Sequence, residues 1–524
     1  MPPLSGTRRT LLTGSVAVAG SGSAVLLPST ADAAVSYRAV RYRGRRKLLS
    51  AADRHLVNRF SYGVTPALTQ QVRRAGGAEK WFARQLRPGR VSDRGVPNHF
   101  GWWSGLSRGP AELWKRQAAD VEGVWEVTAD YARACLLRRT YSRRQVLEVM
   151  TEFWENHLHV PVNGDAHGLF RASYGRTIRK HALGRFDRML QATTVHPAML
   201  VYLDGAVSTA RHPNENLGRE LLELHTVGRG AYTEADVRGS ARILTGWHVD
   251  MWKTWKPSYV PADHATGAVS VVGFKHPNRS RDGRAVTMAY LAHLAHHPAT
   301  ARHLARKLAV KFVRDNPSPA LVSRLARVYL KNDTAIAPVL RALVASKEFK
   351  RSAGDKVRDP GEDLVATLRV LGVRFARPPE GRKGDEYAAT QVLWQASSIG
   401  TTPFGWPRPD GQPIDSESWS SPSRLIASMQ VHYSLSGGWW PKTGIAYRKP
   451  RQWLPRRSIR FDQLVDHLSQ QLLGRHSTKR LLAACCQAVD VRPHERITAD
   501  HGLVKWSFPR LLVTFLDSPT HLTR

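Results

Sequence analysis

The stretch PNENLGRELLELHTVGRGAYTEADV, Pro213 to Val237, threads four glutamates, two asparagines and Arg219 through a run of leucines. Leu217, Leu221, Leu224 and Val227 recur at helical intervals and form one arc of a wheel turning about 100° per residue. Glu220 falls within that arc, so the spacing predicts a carboxylate facing the core, with Asn216 and Glu223 beside it. A core-facing carboxylate must be paired, hydrogen-bonded, metal-bound or protonated, because burying it alone is costly. Arg219 lies four residues from both Glu215 and Glu223, within pairing reach of each. Thr233 and Asp236 then read as a capping box that opens a second helix through Val237, Ala241 and Leu244.

The same period runs outward in both directions. Ser142 and Gln145 read as a capping box, followed by Val146, Val149, Met150, Phe153 and His157 on one line. Glu148, Glu152, Glu155 and His159 fall on a different face, where the acids are expected mostly outward. Pro298 opens a helix with Ala301, Leu304, Leu308 and Phe312 on one side. Alternating patterns are few, and AVSVVGF (268–274) is the best strand, expected as a small hairpin. Loops are expected at 377–385, 403–422 and 447–460. The fold class that follows is mainly α, a large multi-helix globular domain with a minor β-hairpin element. The expected organisation is a signal peptide (1–33), a basic linker (34–47), a helical core domain (48–440), and a basic segment with C-terminal helices packing on that core (441–524).

The N-terminus carries Arg8-Arg9 before a weakly hydrophobic Gly/Ser/Ala-rich run that ends in Ala31-Asp32-Ala33. That is the pattern of a twin-arginine signal peptide with an A-x-A cleavage site. The expected location is secreted or cell-envelope, reached by export of the folded protein. No other stretch is long and apolar enough to span a membrane. The three cysteines, Cys135, Cys485 and Cys486, make no disulfide framework, which suits folding before export.

Lys+Arg number 78 against 42 Asp+Glu, a net charge of +36, and the excess is mostly arginine. Guanidinium grips phosphate, sulfate and carboxylate bidentately. The expected partner is therefore an anionic polymer, recognised through the surface, although solvated arginines on an Arg-rich chain account for many of these charges. No specific nucleic-acid motif accompanies the charge.

The chemistry-bearing candidates are dispersed. Catalytic candidates are His157, Glu220, Glu223 and His264, the last in the polar loop segment Asp263-His264 where a plain exposed histidine is the simpler reading. Arg219 and Arg242 are candidate anion clamps, and Trp247, Trp252 and Trp255 are candidate stacking surfaces for a sugar or base. There is no HExxH, Cys/His ligand spacing, P-loop, GxGxxG or GxSxG.

Together these segments resemble the bacterial family described as domain of unknown function 1800. The matching pieces include HLVNRFSYGVTP (55–66), MTEFWENHL, HPAMLVYLDG (196–205), the Pro213–Val237 stretch, ARILTGW (241–247), TTPFGWPRPDG (401–411) and WSSPSRL (419–425). The resemblance implies a largely helical exported protein, often beside a sulfatase-like partner. It implies functional weight at Trp154, Asn156, His157, Asn214, Glu215, Asn216, Arg219, Glu220, Glu223, Tyr232, Thr233, Arg242, Thr245, Gly246 and Trp247. Glu155 stands where the family often has His, and Gly205 where an Asn is usual. A divalent metal would then have Glu155, His157 and Glu220 as candidate ligands, a set suited to a harder ion. Two readings stay open: a metal- or cofactor-dependent hydrolase of an envelope or extracellular polymer, ahead of an oxidoreductase, and a non-catalytic envelope protein that binds anionic polymers.

Overall fold

The helix Gln145–His157 is buried on every side, and the rest of the molecule is arranged around it. Its apolar line packs inward as its spacing predicts, with Val146, Met150 and Phe153 all in the core. Its acids are buried too, which corrects the expectation that they face outward. Each finds an arginine on a neighbouring helix. Glu148 is bridged by Arg138 at 2.7 Å and Arg179 at 2.6 Å, Glu152 by Arg139 at 2.9 Å, and Glu155 by Arg171 at 3.2 Å. Burial pushes the Glu148 carboxyl up, but the two guanidiniums outweigh it and hold it below its ordinary range. The helix is central because neighbours surround it, and the ion pairs are what permit charged residues there.

The computed structural model describes residues 37–524 except 39, 45, 46 and 380–384. The expected signal peptide and part of the basic linker lie outside the described residues. The described chain forms 24 α-helices joined by short loops and 3₁₀ turns. One apolar core runs from Leu49 to Leu516, so the C-terminal helices share it with the N-terminal ones. Phe461–Leu472 and Phe508–Leu516 pack on Pro360–Leu371 and Pro422–Gly437. No helix among the described residues is long and apolar enough to cross a membrane. All three cysteines are buried thiols.

Strands occur only as two-stranded antiparallel pairs, four of them among the described residues. The hairpin read from AVSVVGF is Val269–Val271 paired with Phe274–His276. Its two turn residues, Val272 and Gly273, both take positive φ, which matches the twist of a tight hairpin. Thr233 caps Glu234–Ile243 with the reciprocal Asp236 contact, as read. Ser142 does not cap the central helix. Its hydroxyl accepts from the backbone N–H of Arg144 and donates to Asp93, while Gln145 begins the helix. The Pro298–Phe312 helix forms with its expected buried face.

Candidate functional site

The Pro213–Val237 stretch does not continue as one α-helix. Asn214 caps a short α-helix, Glu215–Glu220, by accepting from the backbone N–H of Asn216 at 2.8 Å. The chain then widens into a π-turn, Leu221–His225. A π-turn adds a residue to the repeat, so a wheel of α-helical period fails beyond its start. Leu222 and His225 are consequently in the core, while Leu224 is only half-buried. Glu220, read as core-facing, is also half-buried, at the edge. The Thr226 hydroxyl donates to the Leu221 carbonyl at 2.6 Å and closes the widened turn. Beyond it Gly228 sits at φ +85°, and a Cβ there would lie 2.7 Å from His303 Nδ1. Only glycine permits that approach.

His225, carried inward by the π-turn, meets His157 at the end of the central helix. The Pro298–Phe312 helix contributes His303 and, one turn on, Lys307. His157 Nε2 lies 3.1 Å from the His225 carbonyl oxygen, and Lys307 Nζ lies 3.0 Å from His157 Nδ1. A carbonyl only accepts, so Nε2 carries the proton and Nδ1 accepts from the lysine. The His157 ring centroid is 6.3 Å from that of His225 and 6.0 Å from that of His303. Burial, reinforced by the Lys307 charge, keeps all three imidazoles neutral: His157 far below its ordinary value, His225 at about 3 and His303 at about 4. Burial also draws Lys307 from 10.5 down to about 8, with Asp410 opposing. The Nε2 atoms of His225 and His303 are buried without a hydrogen-bond partner among the described residues. They are the imidazole nitrogens of this cluster left for a polar ligand atom or a metal ion.

Asp410 reaches the cluster on the irregular 403–416 segment. Asn156 holds that segment in two-point fashion, donating from Nδ2 to the Gln412 carbonyl and accepting from the Gln412 N–H, both at 2.8 Å. Gly411 makes the contact possible, since a Cβ on it would lie 2.2 Å from the Asn156 carbonyl oxygen. His159 Nε2 fixes the same segment at the Trp406 carbonyl, 2.8 Å away. The rim beyond Asp410 is acidic and phenolic. Burial and the neighbouring Glu223 push the Glu220 carboxyl up, and Asp410 adds to the effect. Glu220 makes no hydrogen bond or ion pair among the described residues. Glu223 has the opposite setting. It accepts from the Tyr232 hydroxyl and is bridged by Arg229 at 2.6 Å, which together hold it below its ordinary value. Two carboxylates three residues apart are thus driven to opposite protonation preferences, the pattern that assigns acid and base roles.

Several residues singled out from sequence lie elsewhere. His157 and Glu220 do not bond each other; His157 meets Lys307, and Asp410 acts on both Lys307 and Glu220. Glu155 projects from the other side of the central helix and is held by Tyr131 and Arg171. Glu155 is taken up by its own partners, both nitrogens of His157 are already engaged and Glu220 bonds neither, so the three do not form a metal centre. Arg219 grips Glu234 with two bonds of 2.7 Å and approaches Glu215 at 3.8 Å, leaving Glu223 to Arg229. Arg242 donates to the Thr266 carbonyl at 2.7 Å, and it pins a loop instead of facing a ligand. His264 is buried, with Nδ1 near the Thr245 hydroxyl and Nε2 at 2.9 Å from Asn278 Oδ1, which makes it a structural link. Trp255 is fully buried and Trp247 half-buried against Tyr259, so only Trp252, 58% exposed, offers a face.

One other group of ligand types converges: Asp363, His432 and His521, with donor atoms within 4.8 Å of one another. Its chemistry is that of an ion-pair network. His432 bonds Asp517 at 2.8 Å and Asp363 at 3.2 Å, while Arg424 and Ser428 also bond Asp363, at 2.9 Å and 2.7 Å. Burial opposes the charge on His432, but the two carboxylates win and raise it to about 9. An imidazolium with both nitrogens donating, beside a guanidinium, does not fit a metal ion.

A helical protein with a buried histidine–lysine cluster beneath an acidic rim is the class this geometry defines. Residues 55–523 match the family described as "Protein of unknown function (DUF1800)", and the chain belongs to that family. No curated protein and no solved structure matches it.

Proposed function

We propose that this protein is an exported acid–base hydrolase of an envelope or extracellular polymer, with Lys307 and Glu220 as its working groups. The observation that carries the reading is the 3.0 Å contact between Lys307 Nζ and the neutral His157, with Asp410 and the unpartnered Glu220 alongside. A lysine near 8 is a usable base at neutral pH, and a carboxyl raised by burial and a like charge is a usable acid. His157 positions the lysine and disperses its charge. Asn156 positions Asp410, and Glu223 keeps the neighbouring carboxyl raised against the opposing charge of Arg229. The Nε2 atoms of His225 and His303 are left to meet a polar atom of the substrate. Export by the twin-arginine route fits a protein that folds, and loads any cofactor, before leaving the cytoplasm.

The test is a panel of cell-wall, teichoic-acid and extracellular polysaccharide substrates, incubated with the natively exported protein and with Lys307→Met. Soluble products released by the wild type and not by the variant support the reading. No product from any polymer, or equal product from both proteins, ends it. The net charge of +36 favours a second reading, in which the protein holds an anionic polymer without cleaving it.

A further inference from the structure

The largest of the cavities described, about 960 Å³, lies away from the histidine–lysine cluster. It is bounded by the Pro66–Arg74 helix along its length, the turn at 140–145, residues 368–374 and the 446–452 segment. Arg74, Arg143, Arg369, Arg374 and Arg448 line it, and no Asp or Glu does. Gln70, Gln71 and Gln471 add amide groups. Arg74, Arg143 and Arg374 are exposed, and none of these three or Arg369 forms an ion pair among the described residues. Asp93, the acid beside this turn, is taken by Ser142, the Arg143 backbone N–H and Arg144.

Arg369 forms part of the cavity wall. Its Nη1 donates to the Thr140 carbonyl at 2.7 Å, while its Nε is buried with no partner. Burial without a carboxylate lowers even this guanidinium, to about 10. A guanidinium buried without an anion is unfavourable, so the arrangement calls for a reason.

Neutralising the protein's own backbone is one such reason. Two helices end here, Val124–Tyr141 and Pro360–Leu371, and each C-terminus carries roughly half a negative charge, whereas the Pro66–Arg74 helix lines the wall with both of its ends and Gln145 brings the positive start of the central helix. Two such ends amount to roughly −1, against five arginines, and leave a clear positive excess. The volume is at the upper end of the roughly 300–1,000 Å³ of small-molecule sites, more than a lone oxyanion needs.

We propose that this cavity binds a segment of a polyanion bearing phosphate or sulfate esters, with Arg143, Arg369 and Arg374 as its grips. The proposal is independent of hydrolysis at Lys307 and stands if that reading falls. Guanidinium meets both esters through paired N–H donors, so the chemistry is shared between a phosphodiester chain and a sulfated glycan.

The experiment is isothermal titration of the full mature protein with two probes, a short inorganic polyphosphate and a heparin hexasaccharide. Three proteins are compared: wild type, Arg143→Gln/Arg374→Gln, and a charge-matched control, Arg324→Gln/Arg327→Gln, on an exposed face outside the cavity. Thermal melting checks that all three fold, and exposed arginines should be replaceable without loss of structure. Loss of charge-assisted contacts should weaken the cavity variant about tenfold or more, and the control less than about twofold. Tighter binding of polyphosphate would identify the phosphodiester as the source, and tighter binding of heparin the sulfated glycan. Equal weakening of both variants, or no measurable binding of either probe, overturns the proposal.

Discussion

Glu220 and Glu223 show how little sequence spacing alone decides about a residue. Both stand on the same leucine-rich stretch, yet one is paired twice and the other not at all. Glu220→Gln keeps the shape and removes the titratable proton. In the proposed mechanism it should cut turnover by about 100-fold or more. Stability should move by less than about 1 kcal/mol, since the carboxyl is half-exposed and bonds nothing. Activity measured beside a thermal melt checks both; a large fall in melting temperature with activity retained per folded molecule would make Glu220 structural. His157 was legible, because it continues the Val146–Met150–Phe153 line. Lys307 and His303 were not. They lie one turn apart on a helix whose apolar face accounts for itself, and a half-buried lysine leaves no trace in periodicity. Asp410 was hidden for a different reason: its place depends on Asn156 gripping a distant loop.

At the scale of elements, the helices were readable wherever apolar residues keep a 3.6-residue period. The reading failed at Leu221–His225, because the π-turn changes the period without any residue that announces it. It failed again at the central helix, where buried ion pairs make acids look like a solvent face. The helix-to-helix network at His432 gives a test with a defined sign. Its folded pKa is raised from 6.5 to about 9 by Asp363 and Asp517, against the opposing effect of burial. Its contribution is therefore complete below about pH 6.5 and is lost as pH rises through about 9, a change on the order of 3 kcal/mol. His521 is pushed to about 3 by burial, so in the folded protein it is neutral over that window, and its unfolded-state titration near 6.5 is common to both proteins. Denaturant unfolding from pH 6 to 9.5 should show the stability difference between wild type and His432→Gln shrinking as pH rises, while the opposing gain from Lys307 and Lys356, both lowered to about 8, is common to the two proteins and cancels. Parallel profiles for the two proteins would remove His432 from the account.

For the whole molecule, the fold class was legible and the site was not. A helical core with small antiparallel pairs follows from local period and turn chemistry. The meeting of His157, His225, His303 and Lys307 depends on three separate elements packing together, which no local pattern encodes. Charge is the other property of the whole chain. We predict that export depends on Arg8-Arg9: changing both to lysine keeps the charge and removes the motif. Pulse-labelled mature protein should then fail to appear outside the cytoplasm. Undiminished export would place the protein on the general secretory route and withdraw the argument for folding first.

The central claim is that Lys307, held against a neutral His157, titrates near neutrality. Heteronuclear NMR of side-chain-labelled lysine, with Lys307→Met to assign the resonance, measures this directly. The account predicts a transition near pH 8, moved upward when His157→Ala opens the contact and admits water. A Lys307 resonance that titrates at the ordinary 10.5, unchanged by His157→Ala, would contradict it.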